Sequence, residues 1–260
     1  MNRKPPGRGG PGARGGSGGR GGGRGRGRGR PEETEIEKIE REILERQNVL
    51  SNWTPKTELG RMVKNAKITS MDEVADKGLR ILEPEIIDSL MPVEEHLIEV
   101  ARTTRVTNAG RKYSYRAALV VGNKNGYIGF GTAKDADRFP AINKARRVAK
   151  LNLVRVYRGS GSWEEQATED KHSVPFKVTG KSGSVRVTLM PAPKGTGLAV
   201  GKGIRPVLVL AGIRNAWGRT KGRSTIQLNF VRAAIDALEQ TGRMKASKDI
   251  ERKLGKITRA

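Results

Sequence analysis

Charge is segregated along this chain, and any fold it adopts has to accommodate that. Residues 1–30 carry nine basic and no acidic side chains, residues 31–100 carry nine basic and 17 acidic, and residues 101–260 carry 33 basic and 10 acidic. The formal net charge over 260 residues is +24. A compact domain built from the last block repels itself unless a polyanion neutralises it. Nucleic acid is such a polyanion, and each phosphate it has neutralised releases counterions and strengthens binding.

The chain has no cysteine, which removes disulfides, thiolate chemistry and cysteine-type zinc sites. No apolar run approaches the ~20 residues needed to cross a bilayer, and the first residues lack the apolar core of a signal peptide. The expectation is a soluble cytoplasmic protein with no membrane partner.

Residues 1–30 are a low-complexity Arg-Gly tail, with the run GGRGGGRGRGRGR at 18–30. Glycine makes ordering entropically costly and nothing apolar offsets it, so the tail is expected to be disordered. It reads either as a flexible RNA-binding arm or as a solubilising tail. Residues 31–92 read as a helical extension. PEETEIEKIEREILERQNVL places Ile36, Ile39, Ile43 and Leu50 on one helical face, with acidic residues crowding the early turns. That helix reads either as a protein-docking element or as a solvated charged helix. Ser70 and Glu73 have capping-box spacing, and Pro84 and Pro92 bracket a further short helix.

From residue 93 the pattern becomes that of strands. LIEVARTTRVT (97–107), RKYSYRAALVVG (111–122) and YIGFGTAK (127–134) are three predicted strands joined at Asn108-Ala109-Gly110 and Asn123-Lys124-Asn125-Gly126. FPAINKARRVAKLNL (139–153) then reads as a two-faced helix. Ala141, Ile142, Ala145, Val148 and Ala149 share one half, and Lys144, Arg146, Arg147 and Lys150 the other. The unit 93–157 is therefore β-β-β-α. Residues 158–171 read as a linker. Residues 172–242 read as a small α/β module, with strands at 174–180, 184–190 and 213–220 and helices at 204–212 and 228–240. Residues 243–260 form a basic tail. The fold class is α+β.

Motifs that suggest chemistry fail on inspection. Gly180-Lys181-Ser182 lacks the glycine that a phosphate-binding loop needs at 175, which is Pro. Gly195-Thr196-Gly197 has Val200 where a dinucleotide loop needs its third glycine. His96 and His172 have no second ligand nearby in sequence. Neither a catalytic site, a metal, a cofactor nor a small-molecule substrate is expected.

AALVVGNKNGYIGFGTAKDADRFPAINKARRVAKLNLVRV (117–156) and HSVPFKVTGKSGSVRVTLMPAPKGTGLAVGKGIRPVLVLAGI (172–213) closely resemble the two modules of the small-subunit ribosomal protein five family (bacterial "S five", eukaryotic "S two"). WTPKTELGRMV (53–63) resembles the extension of its archaeal and eukaryotic members, and the stretches at 161–164 and 172–175 look archaeal. The resemblance covers roughly residues 50–242 in collinear order. It implies that the first module is double-stranded-RNA-binding-like. It also implies a structural place in the small subunit, bound to ribosomal RNA beside small-subunit proteins four and eight and near the path by which messenger RNA enters. Assembly and decoding fidelity would be supported there. The alternative is a free RNA-binding or RNA-chaperone protein built on the same modules.

Candidate RNA-binding residues follow from both readings. The hairpin tip offers Asn108, Gly110, Arg111 and Lys112, where glycine permits close approach and arginine binds phosphate bidentately. Lys124, Asn125 and Lys134 add contacts along the module. Lys144, Arg146, Arg147 and Lys150 form the basic helix face, expected to read RNA by shape and phosphate. Lys194, Lys202, Arg205, Arg214, Arg219 and Lys221 surround the glycine-rich loops of the second module, divided between RNA and protein contacts. Gly129 and Gly131 allow close approach either of RNA or of a helix backbone.

Overall fold

The computed structural model describes residues 53–159 and 171–243. The Arg-Gly tail, the amphipathic helix of 31–50, residues 160–170 of the predicted linker and the tail from 244 lie outside the described residues.

Three short helices come first: α1 (Glu58–Lys64), α2 (Met71–Asp76) and α3 (Pro84–Leu90). Their ends are set by local chemistry. The Thr57 hydroxyl accepts from the Gly60 N–H at 3.1 Å, Ser70 caps α2 through the Glu73 N–H at 3.3 Å, and Pro84 opens α3. Helices of six or seven residues do not persist alone. Leu59, Val63, Ile68, Met71, Val74, Ile86, Ile87 and Met91 bury one another and pack against Tyr127. The Glu83 carboxylate ties the entry of α1 to that of α3, accepting from Trp53 Nε1 (2.9 Å), Lys56 N–H (2.9 Å) and Thr57 N–H (2.6 Å). Burial pushes the Glu83 carboxyl up, but the bonds from Thr57, Lys56 and Trp53 outweigh it and hold the group below its ordinary value.

The first sheet has one strand more than the sequence suggested. β1 (Glu94–Thr107), β2 (Gly110–Gly122), β3 (Tyr127–Asp135) and β4 (Leu153–Arg155) pair antiparallel in that order. Helix α4 (Arg138–Leu151) lies between β3 and β4 in sequence and ends two residues earlier than predicted. It buries Ala141, Ala145 and Ala149 against Ala117, Leu119 and Val121 of β2. Gly129 and Gly131 make that approach possible. A Cβ at Gly129 would stand 2.2 Å from the Ala149 carbonyl oxygen, and one at Gly131 would stand 2.1 Å from that of Ala145. Both glycines serve helix–sheet packing, so neither is available to RNA.

The second sheet runs β5 (Val178–Ser182), β6 (Val185–Pro191), β8 (Ala216–Lys221), β7 (Leu198–Ala199) in space. Neighbours are antiparallel except β7 and β8, which are parallel and joined through α5 (Arg205–Ala211). β5 starts four residues after the predicted position, beyond Pro175, which has no N–H to give a ladder. The β5–β6 turn is Gly183-Ser184, with Gly183 at φ +59°. Helix α5 ends at Gly212 in the left-handed conformation, φ +81°. Helix α6 (Gln227–Gln240) packs on β5 and β6.

One hydrophobic core runs through both sheets. Val120, Ile128 and Val156 belong to the same buried cluster as Val187, Leu189, Leu208, Val231 and Leu238. The stretch Ala117–Val121 is therefore buried on both faces, which explains its continuous apolar run. His172 is a packed histidine. Its Nδ1 lies 2.9 Å from Asn215 Nδ2, and Asn215 Oδ1 accepts from the Gly197 N–H at 2.9 Å, which anchors the glycine-rich loop. Among the described residues no group of acidic and histidine side chains could hold a metal ion, and no helix is long and apolar enough to cross a membrane.

Candidate RNA interface

The β1–β2 hairpin extends past the core as a two-stranded arm. Thr107 pairs with Gly110 across the two-residue turn Asn108-Ala109. Gly110 sits at φ +108°, a conformation that favours glycine, and a Cβ there would meet nothing within 4 Å. Arg111 and Lys112 are exposed beside it. Sequence reasoning overlooked Arg102 and Arg105. The register places Arg105 directly opposite Lys112 on one face. On the other face the Arg102 guanidinium lies 3.7 Å from the Tyr113 ring centre, and Val106 is 74% exposed. The run RTTRVT, with two arginines and no acidic residue in a predicted strand leading to the tip, is the signal that would have found them.

Like charges directly opposed across a strand pair repel. Among the described residues no carboxylate forms an ion pair with Arg105, Arg111 or Lys112. The arm thus holds Arg105 and Lys112 opposite one another, and a phosphate backbone would relieve their repulsion.

The basic helix face looks different in three dimensions. Lys144 pairs with Asp135 at 2.7 Å, and that bond, with the Ala136 N–H, holds the Asp135 carboxyl below its ordinary value. Arg146 lies 2.6 Å from a Glu95 carboxylate oxygen. Lys150 is not on an outward face. Its side chain is 11% exposed and its Nζ donates to both Asp88 oxygens, at 2.7 and 2.9 Å. A helix ends its amphipathic arc wherever a neighbour covers it, and α3, which carries Asp88, covers this one. Arg147 stays exposed, and among the described residues no carboxylate pairs with it. Removing one member of a buried ion pair costs roughly 3–5 kcal/mol, so with Asp88 partly hydrated Lys150→Ala is expected to cost about 2–3 kcal/mol in urea unfolding. A cost below about 0.5 kcal/mol would return Lys150 to the class of surface lysines.

The turn after β2 meets the second sheet's helix. Lys124, at φ +56°, donates its N–H to the Leu210 carbonyl (2.8 Å), and Gly126 N–H donates to Ala211 O (3.1 Å). The Lys124 ammonium pairs with Glu94. Asn125 Oδ1 accepts from Arg158 at 2.5 Å. Burial, and then the neighbouring Arg214 charge, push the Arg158 guanidinium down from its ordinary value. The structure thus brings Asn125, Arg158 and Arg214 together at one junction, while Lys134 stands exposed on β3.

In the second sheet, Lys194, Lys202, Arg205, Arg214, Arg219 and Lys221 are all exposed. Arg219 and Lys221 share one face of β8, and the Arg205 guanidinium reaches the Leu198 carbonyl.

Two family models match the sequence: "Ribosomal protein S5, N-terminal domain" over residues 93–157 and "Ribosomal protein S5, C-terminal domain" over residues 180–253. Among similar proteins, the "Small ribosomal subunit protein uS5" of Methanothermobacter thermautotrophicus is 47% identical over 207 residues, 79% of this chain and 95% of that protein. Those of Methanosphaera stadtmanae and Staphylothermus marinus are 45% and 46% identical, over 80% and 77% of this chain and 92% and 94% of theirs. With both modules matched in order and archaeal relatives alike over nearly their whole length, the chain belongs to the ribosomal protein S5 family, among its archaeal members.

Proposed function

We propose that this chain is a structural constituent of the small ribosomal subunit, holding ribosomal RNA by shape and phosphate contacts. The observation that carries this reading is the exposed β1–β2 arm, where Arg105 and Lys112 stand opposite one another on one face and Arg111 lies on the other, none with a carboxylate partner among the described residues. Similarity to proteins named as small-subunit components supports the ribosomal setting. In this reading the three long strands and α4 act as a double-stranded-RNA-binding-like module. RNA meets the arm, Lys134 and Arg147, and small-subunit proteins four and eight lie alongside. The arginines of the Arg-Gly tail add sequence-independent affinity. The place of action is the ribosome in the cytoplasm, near the path of incoming messenger RNA, where the chain supports assembly and decoding fidelity.

The reading is tested by fractionating a lysate on a density gradient after a high-salt wash and counting this protein against the small-subunit RNA. Close to one copy per subunit is expected. Recovery mainly in the free fractions would replace this reading with that of an unattached RNA chaperone.

A further inference from the structure

The open face of the second sheet carries a pattern that the single-residue candidates do not reveal. α6 covers one face, burying Val178 and Gly180 of β5 and Val185, Val187 and Leu189 of β6. The alternate residues point the other way, and the register orders them into rows. Lys181 is opposite Arg186, and Arg186 is opposite Lys221, so three exposed cations stand side by side across three strands at about 4.8 Å per strand. In the next row Thr179 is opposite Thr188, with their hydroxyls 3.1 Å apart, and Thr188 is opposite Arg219. The third row pairs Met190 with Trp217, an indole 43% exposed.

Among the described residues no carboxylate forms an ion pair with Lys181, Arg186, Arg219 or Lys221. Asp236, on α6, accepts the Lys181 backbone N–H at 2.9 Å and the Gln240 amide N–H at 3.5 Å. Three like charges placed directly opposite one another destabilise the sheet they sit on. An acidic peptide would answer the cations but has no use for an exposed indole. A nucleic-acid duplex would answer them too, but its bases are stacked inside the helix and cannot reach Trp217. An unpaired strand uses all three rows: phosphates on the cations, sugar hydroxyls on the threonines, a base on the indole. Exposed aromatics on open sheets stack unpaired bases in this way, whatever the base, because every base has a π-face.

We propose that this face binds single-stranded RNA, with its phosphates along Lys181, Arg186 and Lys221 and a base stacked on Trp217. The proposal deepens the RNA-binding reading and rests on it. Its test uses purified protein and a short RNA, so it can fail while incorporation into the subunit stands.

The full chain is mixed with an oligouridylate of about ten nucleotides, within the size such sites span, carrying 4-thiouridine. Salt is set near 0.3 M to screen loose surface contacts. Irradiation is expected to cross-link the tryptic peptide Asn215–Arg219, which contains Trp217. W217A is expected to lose the cross-link and about tenfold in affinity, while W217F keeps most of both. Replacing Lys181, Arg186 and Lys221 together by Ala is expected to lower the salt slope by about 2. The urea midpoint is measured alongside: it should hold or rise slightly in the triple variant, whose like charges no longer repel, and W217F separates loss of the base contact from any fall in W217A, whose indole is 43% exposed. The proposal is overturned if Asn215–Arg219 is not cross-linked and W217A binds like the wild type. It is equally overturned if an RNA duplex, or polyglutamate, displaces the oligonucleotide as well as unlabelled single strand does. The first result would assign the face to helical RNA and the second to an acidic protein.

Discussion

Gly131→Val is expected to prevent the first sheet from seating its helix. A Cβ at Gly131 would fall 2.1 Å from the Ala145 oxygen, 2.4 Å from the Ala149 nitrogen and 2.9 Å from the Ala149 Cα. All three are backbone atoms, so no side-chain rotation clears them, and α4 must move as a body. That movement opens the Ala141, Ala145 and Ala149 contacts and pulls on the Lys150–Asp88 and Arg146–Glu95 pairs. The cost is expected to exceed about 4 kcal/mol, a large part of the 5–15 kcal/mol that holds a typical domain together. Urea unfolding reads it directly. Gly110→Ala is the useful comparison, because Gly110 has a positive φ but open space around it. That change should cost about 1 kcal/mol. Equal losses at the two sites would mean that backbone conformation, not contact with α4, sets the role of Gly131.

Neutralising the arm should give the opposite combination, binding lost and stability kept. With Arg105, Arg111 and Lys112 all replaced by Ala, affinity for helical ribosomal RNA is expected to fall about 100-fold, and the salt slope by up to ~3. The urea midpoint should hold or rise slightly, because the opposed Arg105 and Lys112 no longer repel. Filter binding over a salt series gives both affinity and slope. An unchanged slope would move the main RNA contact off the arm. The same experiment on Arg146, Arg147 and Lys150 would mislead, since Lys150 is part of the fold and its loss would lower binding by loosening α3 from α4.

The long strands and the two 14-residue helices were legible because their apolar residues repeat with the right period over many positions. β4 and β7, of three and two residues, are too short to show any period. Gly129 and Gly131 announced a close approach but not of what, since a missing side chain carries no information about its neighbour. The hairpin tip was readable because a turn, a glycine and two cations lie together in sequence. Lys150 was misread because its partner is 62 residues away. The open face of the second sheet was missed for a related reason. Gly180-Lys181-Ser182 was weighed as a loop motif, and placing the turn there hid the alternation that puts Lys181 in a row with Arg186 and Lys221.

The seating of the β2–β3 turn on α5 also governs how the chain comes into being. Gly122 lies against Leu210, and Val120 and Ile128 are sealed by residues synthesised much later. With translation adding about 5–20 residues per second, roughly 90 residues separate the two partners, so a nascent first sheet waits several seconds with one apolar side uncovered. Through that interval its cationic arm has already emerged. The newborn chain is both sticky and strongly charged, and its most hazardous moment comes before it is finished.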